Sequence, residues 1–94
     1  MAGKALQGLR VLELGSLIGA PFCATLMAEF GAEVVKIEDP EVGDMSRHLG
    51  QAVDGTGLMF ASLGRNKRCA TLDLRRPEGQ DLLLRLVARC DVVV

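Results

Sequence analysis

The hydrophobic positions of this chain change period several times. Leu9 to Leu14, LRVLEL, is a short apolar run bounded by Gly8 and Gly15, and it predicts a buried strand. After a small-residue turn, Cys23, Leu26, Met27 and Phe30 recur at i, i+3, i+4 and i+7. They predict a helix that opens on Pro21, turns those four side chains to the core and ends in a left-handed cap at Gly31. AEVVKIE, residues 32–38, predicts a second strand.

Residues 39–57, DPEVGDMSRHLGQAVDGTG, have no sustained period and are rich in Gly and Asp, which predicts a long loop serving as a lid or arm. LMFASL, from Leu58 to Leu63, predicts one or two helical turns before Gly64 and the basic RNKR. From Cys69 to Leu74 the pattern alternates, with Ala70, Leu72 and Leu74 on one face, and predicts a strand. Pro77 opens a further helix whose core stripe is Leu83, Leu86, Val87 and Cys90, and DVVV begins another strand.

Strand, helix and strand joined by short turns make a βαβ unit, with parallel strands and a right-handed crossover. The expected fold class is therefore α/β: a Rossmann-like parallel sheet with flanking helices. No repeat, low-complexity tract or linker divides the 94 residues. Because the sequence stops on three valines, residues 1–94 are expected to be the N-terminal part of a single domain, truncated at its C-terminal end and inactive alone.

Composition narrows the function. Eleven basic residues are interspersed with twelve acidic ones for a net charge of -1, and Trp and Tyr are absent, so no nucleic-acid footprint is expected. The apolar runs are too short for a membrane span and MAGKALQG is no signal peptide, which predicts a cytoplasmic protein without membrane partners. Cys23, Cys69 and Cys90 form no CxxC pair and read as small buried hydrophobes. His48, the sole histidine, has no partner acid, nucleophile or metal cluster beside it in sequence, so neither a catalytic histidine nor a metal site is expected.

In an open α/β sheet, ligands collect at the carboxyl ends of the strands, where Gly15 to Pro21 falls. Gly15 is followed by Ser16, Leu17, Ile18 and then Gly19, so neither GxGxxG nor GxxxxGK[ST] is present. Glu38 falls where a dinucleotide fold keeps its ribose acid. Without the glycine pattern it reads as a solvated strand terminus, and Asp44 and Asp54 read as loop and turn acids.

LxGLRVLEL, AP at the helix start, FGAEVVKIE, GDMSR and NKRxxxLDLRRPEG, at these spacings, together resemble the N-terminal portion of the class III CoA-transferases (CaiB/BaiF type, formyl-CoA transferase-like). The resemblance implies that residues 1–94 are part of a CoA-binding α/β domain, with coenzyme A or acyl-CoA as substrate and no metal. It places CoA contacts at Ile18, Gly19, Asp39, Leu72, Asp73, Leu74 and Arg75. Ile18 stands where some relatives have glutamine and Asp39 where some have arginine, so Arg75, or Arg76 in its place, is left to pair with phosphate.

The implied activity moves CoA between carboxylic acids. An aspartate attacks the acyl-CoA thioester to give a mixed anhydride and then an aspartyl-CoA thioester. That aspartate is expected beyond residue 94, so no catalytic residue is assigned here, and the full-length enzyme is expected to be an interlocked homodimer. Two other readings remain open on the residues: an α-methylacyl-CoA racemase-like enzyme, using His and Asp for proton transfer, or a non-catalytic Rossmann-like binding module.

Overall fold

The computed structural model describes residues 3–94. Four parallel strands form one sheet: β1 (Arg10–Glu13), β2 (Glu33–Glu38), β5 (Lys67–Thr71) and β6 (Val92–Val93), in the order β5-β2-β1-β6. The first three strands of the sheet in sequence run outward in one direction from β1. The fourth returns to its other side, which is the reversal of a Rossmann half-sheet. Two short strands, β3 (Ala52–Val53) and β4 (Thr56–Gly57), pair antiparallel as a separate hairpin.

Helix α1 (Gly19–Glu29) connects β1 to β2, and Gly31 ends it at φ +106°. The Gly31 N–H donates to Ala28 O and the Ala32 N–H to Met27 O, the paired closing bonds of a left-handed cap. The face it buries is not the expected one. Pro21, Ala24, Thr25 and Ala28 face the sheet, whereas Cys23 is exposed and Phe30 is 57% exposed.

Small side chains let the helix backbone approach Val11 and Val34, and Ala24, Ala28 and Ala32 close the core with them. The larger residues of the expected stripe are left outside or, like Met27, at the margin of that core. Hydrophobic size ranked the faces wrongly because a close helix-to-sheet contact selects for small volume.

Residues 39–57 are not a plain loop. They hold a short 3-10 helix, Met45–Arg47, and the β3–β4 hairpin. The hairpin turns on Asp54 and Gly55, both at positive φ, as a two-residue primed turn requires. Asp54 is thus the turn acid that was expected. Helix α2 (Leu58–Leu63) follows directly.

β5 begins two residues earlier than expected and ends at Thr71, so Leu72 and Leu74 lie beyond the strand. Helix α3 (Pro77–Val87) starts at Pro77 as predicted. Leu83, Leu86 and Val87, with Cys90 just beyond the helix, are only half-buried. Cavities of about 400 Å³ and 260 Å³ lie beside Leu86 and Arg89, one reaching Leu72 and Leu82, the other Val35 and Cys90.

The start of α3 is fixed by Gly79, which is buried. A Cβ there would stand 2.0 Å from the carbonyl oxygen of Asp73. Alanine would add roughly 1 kcal/mol of helix propensity, but overpacking against immobile backbone costs about 1–3 kcal/mol. Gly79→Ala is therefore expected to lower the urea midpoint without changing the slope of the transition; an unchanged or raised midpoint contradicts this packing.

Candidate functional site

Alternation places Val11 and Glu13 of β1, and Val34, Lys36 and Glu38 of β2, on the sheet face that α1 covers. That face is apolar at the amino ends of the strands and ionic at their carboxyl ends. Lys36 Nζ lies between Glu13 and Asp44, at 2.7 Å from Asp44 Oδ2, and donates to the Gly15 carbonyl at 3.1 Å. Lys67 Nζ reaches Glu13 Oε1 at 2.6 Å and the carbonyl of Pro21 at 2.8 Å.

Beside them Arg47 donates twice to Glu38, at 2.7 and 2.8 Å, and stacks 3.6 Å over the ring of Phe60. Glu38 also accepts the Asp44 N–H at 2.7 Å. Three carboxylates and three cations thus balance at the top of the sheet. All but Arg47 have buried side chains. Among the described residues no buried side-chain polar atom lacks a hydrogen-bond partner.

This network corrects four sequence readings. Glu38 is no solvated terminus; it is buried and paired with Arg47. Asp44 is buried and caps the 3-10 helix, accepting from the Ser46 N–H at 2.8 Å and the Ser46 hydroxyl at 2.7 Å. Lys67, left out of the strand expected from Cys69, belongs to β5 with its side chain turned inward. Cys69, expected to be buried, is exposed as a residue, although burial of its thiol, and then Glu38 beside it, push its pKa up.

Charged residues at inward positions of otherwise apolar parallel strands were the available signal. Such strands are normally apolar on both faces, and Glu13 and Lys36 break that rule.

The titration follows from these contacts. Burial works against the charged form of Asp44, but hydrogen bonds from Lys36 and Ser46 outweigh it and hold the pKa at about 2, against 3.8 ordinarily. Burial works likewise against Lys36 as a cation, and its bonds to Asp44 and Glu13 more than offset this, so its pKa is raised. The Arg47 guanidinium, helped by the Asp44 N–H against the effect of burial, lowers Glu38.

Above this layer a cavity of about 280 Å³ opens at the carboxyl ends of β1, β2 and β5, lined by Leu14, Ile37, Glu38, Asp39, Leu72, Leu74 and Arg75. Four of the expected contact residues, Asp39, Leu72, Leu74 and Arg75, meet there. Asp73 lines a neighbouring hollow of about 300 Å³ with Thr71, Leu72 and Arg76. Ile18 and Gly19 do not line either cavity. They form the start of α1, where no side chain caps the helix and a Cβ on Gly19 would meet nothing within 4 Å.

Arg75 is 57% exposed and ringed by acids: Asp73 at 2.8 Å, Asp39 at 3.5 Å and Glu41 at 3.7 Å. The hydrogen bond to Asp73, then the charge of Asp39, raises its pKa, and the same contact lowers that of Asp73. Asp39 is thus in reach of Arg75, the arginine that was expected to pair with phosphate.

Residues 6–94 match the model of CoA-transferase family III. The chain belongs to that family. It is 48% identical over 92 residues to succinyl-CoA–D-citramalate CoA-transferase of Chloroflexus aurantiacus, covering 97% of this chain and 23% of that protein. It is 42% identical to formyl-CoA:oxalate CoA-transferase of a Bradyrhizobium species, covering 97% of this chain and 22% of the relative. The family III chain thus spans less than a quarter of the length of the curated relatives it matches.

Among solved structures, a CaiB/BaiF family protein from Brucella suis superposes with a TM-score of 0.88 at 38% identity, over 98% of this chain and 25% of that one. Both the parallel α/β fold and the family resemblance read from the motifs are therefore shown. Among the described residues no helix is long and apolar enough to cross a membrane, and no group of three or more His, Cys, Asp or Glu is arranged to hold a metal ion.

The buried network makes stability acid-sensitive in this family III segment. The folded pKa of Asp44 lies below its unfolded value, so the unfolded state binds more protons between about pH 4 and pH 2. Its stabilisation is complete above that window, where it is worth about 2 kcal/mol, and is lost as pH falls through it. Urea titrations from pH 6 down to pH 2 are expected to show this loss, and Asp44→Asn should flatten it. A variant as steep as the wild type would remove Asp44 as the cause.

Proposed function

We propose that this chain is the CoA-binding N-terminal portion of an acyl-CoA:carboxylate CoA-transferase, acting in a longer protein. The observation that carries the reading is the convergence of Leu14, Leu72, Leu74, Asp39 and Arg75 at the carboxyl ends of three adjacent parallel strands. In an open α/β sheet that is where a nucleotide-bearing ligand binds. Membership of family III, with relatives named for transfer of CoA between succinate and citramalate or formate and oxalate, supports the reaction class.

In this reading Leu72 and Leu74 flank the adenine, and the open backbone of Gly19 approaches the pantetheine or a phosphate. Arg75 exchanges its exposed contacts with Asp39 and Glu41 for a phosphate of CoA, keeping Asp73 as its anchor. An exposed guanidinium can make that exchange at little cost, because ion pairs in water are weak. An acyl-CoA donor and an acceptor carboxylic acid are the substrates. The thioester chemistry falls to an aspartate outside residues 1–94, through an aspartyl-CoA intermediate, in a cytoplasmic, interlocked homodimer.

Calorimetry on the full-length enzyme tests this, with CoA, 3'-dephospho-CoA and NAD as ligands. CoA is expected to bind and NAD not. Gly19→Val should weaken CoA binding without altering the melt, since a Cβ there meets nothing within 4 Å and would stand in the way of a ligand approaching the backbone. Arg75→Ala should cost CoA several-fold more affinity than dephospho-CoA, and Asp39→Arg should tighten CoA selectively. NAD binding in preference to CoA would favour a different Rossmann-like module, and equal effects of Arg75→Ala on both ligands would return Arg75 to solvent.

A further inference from the structure

The turn between β1 and α1 contains a backbone conformation that its residue does not favour. Leu17 lies at φ +71°, in the left-handed region where a side chain is strained. Such a residue persists only where its surroundings hold it. Here the Leu17 N–H points at the Asp44 carboxylate, 3.3 Å from Oδ1 and 3.4 Å from Oδ2.

Asp44 is itself fixed. It is buried, pairs with Lys36 at 2.7 Å and takes both the N–H and the hydroxyl of Ser46. Lys36 grips the same turn from the other side by donating to the Gly15 carbonyl at 3.1 Å. Between them the pair holds the turn at Gly15 and Leu17, the residues on either side of exposed Ser16. The next residues along the chain are Ile18 and Gly19, the open start of α1.

We propose that Asp44 is a positioning residue: its buried carboxylate, paired with Lys36, holds Leu17 left-handed and so sets the path of Ile18 and Gly19 toward CoA. The proposal rests on the CoA-binding reading for its ligand, but not for its geometry. Buried as it is, Asp44 acts through this backbone. It transmits the charge pairing under the sheet to the backbone that faces outward, and it lies on the arm after β2, so the arm and the turn are shaped together.

A double-mutant cycle in the full-length enzyme tests it. Asp44→Ser keeps a capping oxygen for Ser46 but withdraws the reach to Leu17, and Leu17→Gly removes the penalty for positive φ. With Leu17 in place, Asp44→Ser is expected to raise the Kd for CoA about tenfold, and in the Leu17→Gly background by less than about threefold. A merely structural Asp44 would lower the melting point in both backgrounds and weaken CoA equally in both, which overturns the proposal.

Amide exchange of Leu17, followed by NMR without ligand, gives a second reading. Asp44→Ser should speed it well beyond the average change across β1 and α1, and unchanged relative protection overturns the proposal. If wild type fails to bind CoA while the Leu17 amide still loses protection, the CoA-binding reading fails and the positioning role of Asp44 stands.

Discussion

The ion pairing of Lys36 with Glu13 and Asp44 is the interaction on which the rest of this structure depends. A lysine and two carboxylates enclosed under a sheet carry a heavy desolvation cost, and only full pairing offsets it. Here the pairing is full, because Lys67 supplies Glu13 with a second cation and Arg47 satisfies Glu38 next door. Removing one member of such a set leaves a buried charge unmatched, at a typical cost of about 3–5 kcal/mol. The six groups come from β1, β2, the 3-10 helix and its cap, and β5, so their mutual satisfaction also fixes how these elements meet.

That arrangement explains the arm after β2. Residues 39–57 have a small apolar content and would wander if left to hydrophobic contact alone. Asp44 and Arg47 tie them down with charge instead, and Phe60 under the Arg47 guanidinium joins the arm to α2. Thr25 adds a tie from α1 to α2, its hydroxyl lying 2.7 Å from the Pro21 carbonyl and 2.6 Å from that of Leu63. The GDMSR stretch therefore acts through its Asp and Arg, one facing the turn and one facing the strand end.

The parts of this legible in the sequence were those governed by local rules. Period and punctuation located β1, β2, α1 and α3, the Gly31 cap and the Pro77 start, and the motif set identified the family. What periodicity missed depends on contacts distant in sequence. The inner face of α1 was misread because the sheet, invisible from the helix alone, admits alanines and excludes Phe30. Lys67, in the basic RNKR, fell outside the strand expected from Cys69, whereas β5 places it beside Val34 and within reach of Glu13. The hairpin had a signal in Asp54-Gly55, but its strands are two residues each, too short to show alternation.

For the candidate site, the motif resemblance named Asp39, Leu72, Leu74 and Arg75 together, and the fold brings them round one cavity. Neither spacing nor motif gave the ring of acids on Arg75. The central claim is that CoA lies across this end of the sheet, between that cavity and the head of α1. A crystal structure of the full-length enzyme with CoA tests it most directly. The adenine is predicted to lie against Leu72 and Leu74 with the Gly19 backbone in contact with the ligand; CoA bound elsewhere, touching neither, would contradict the claim.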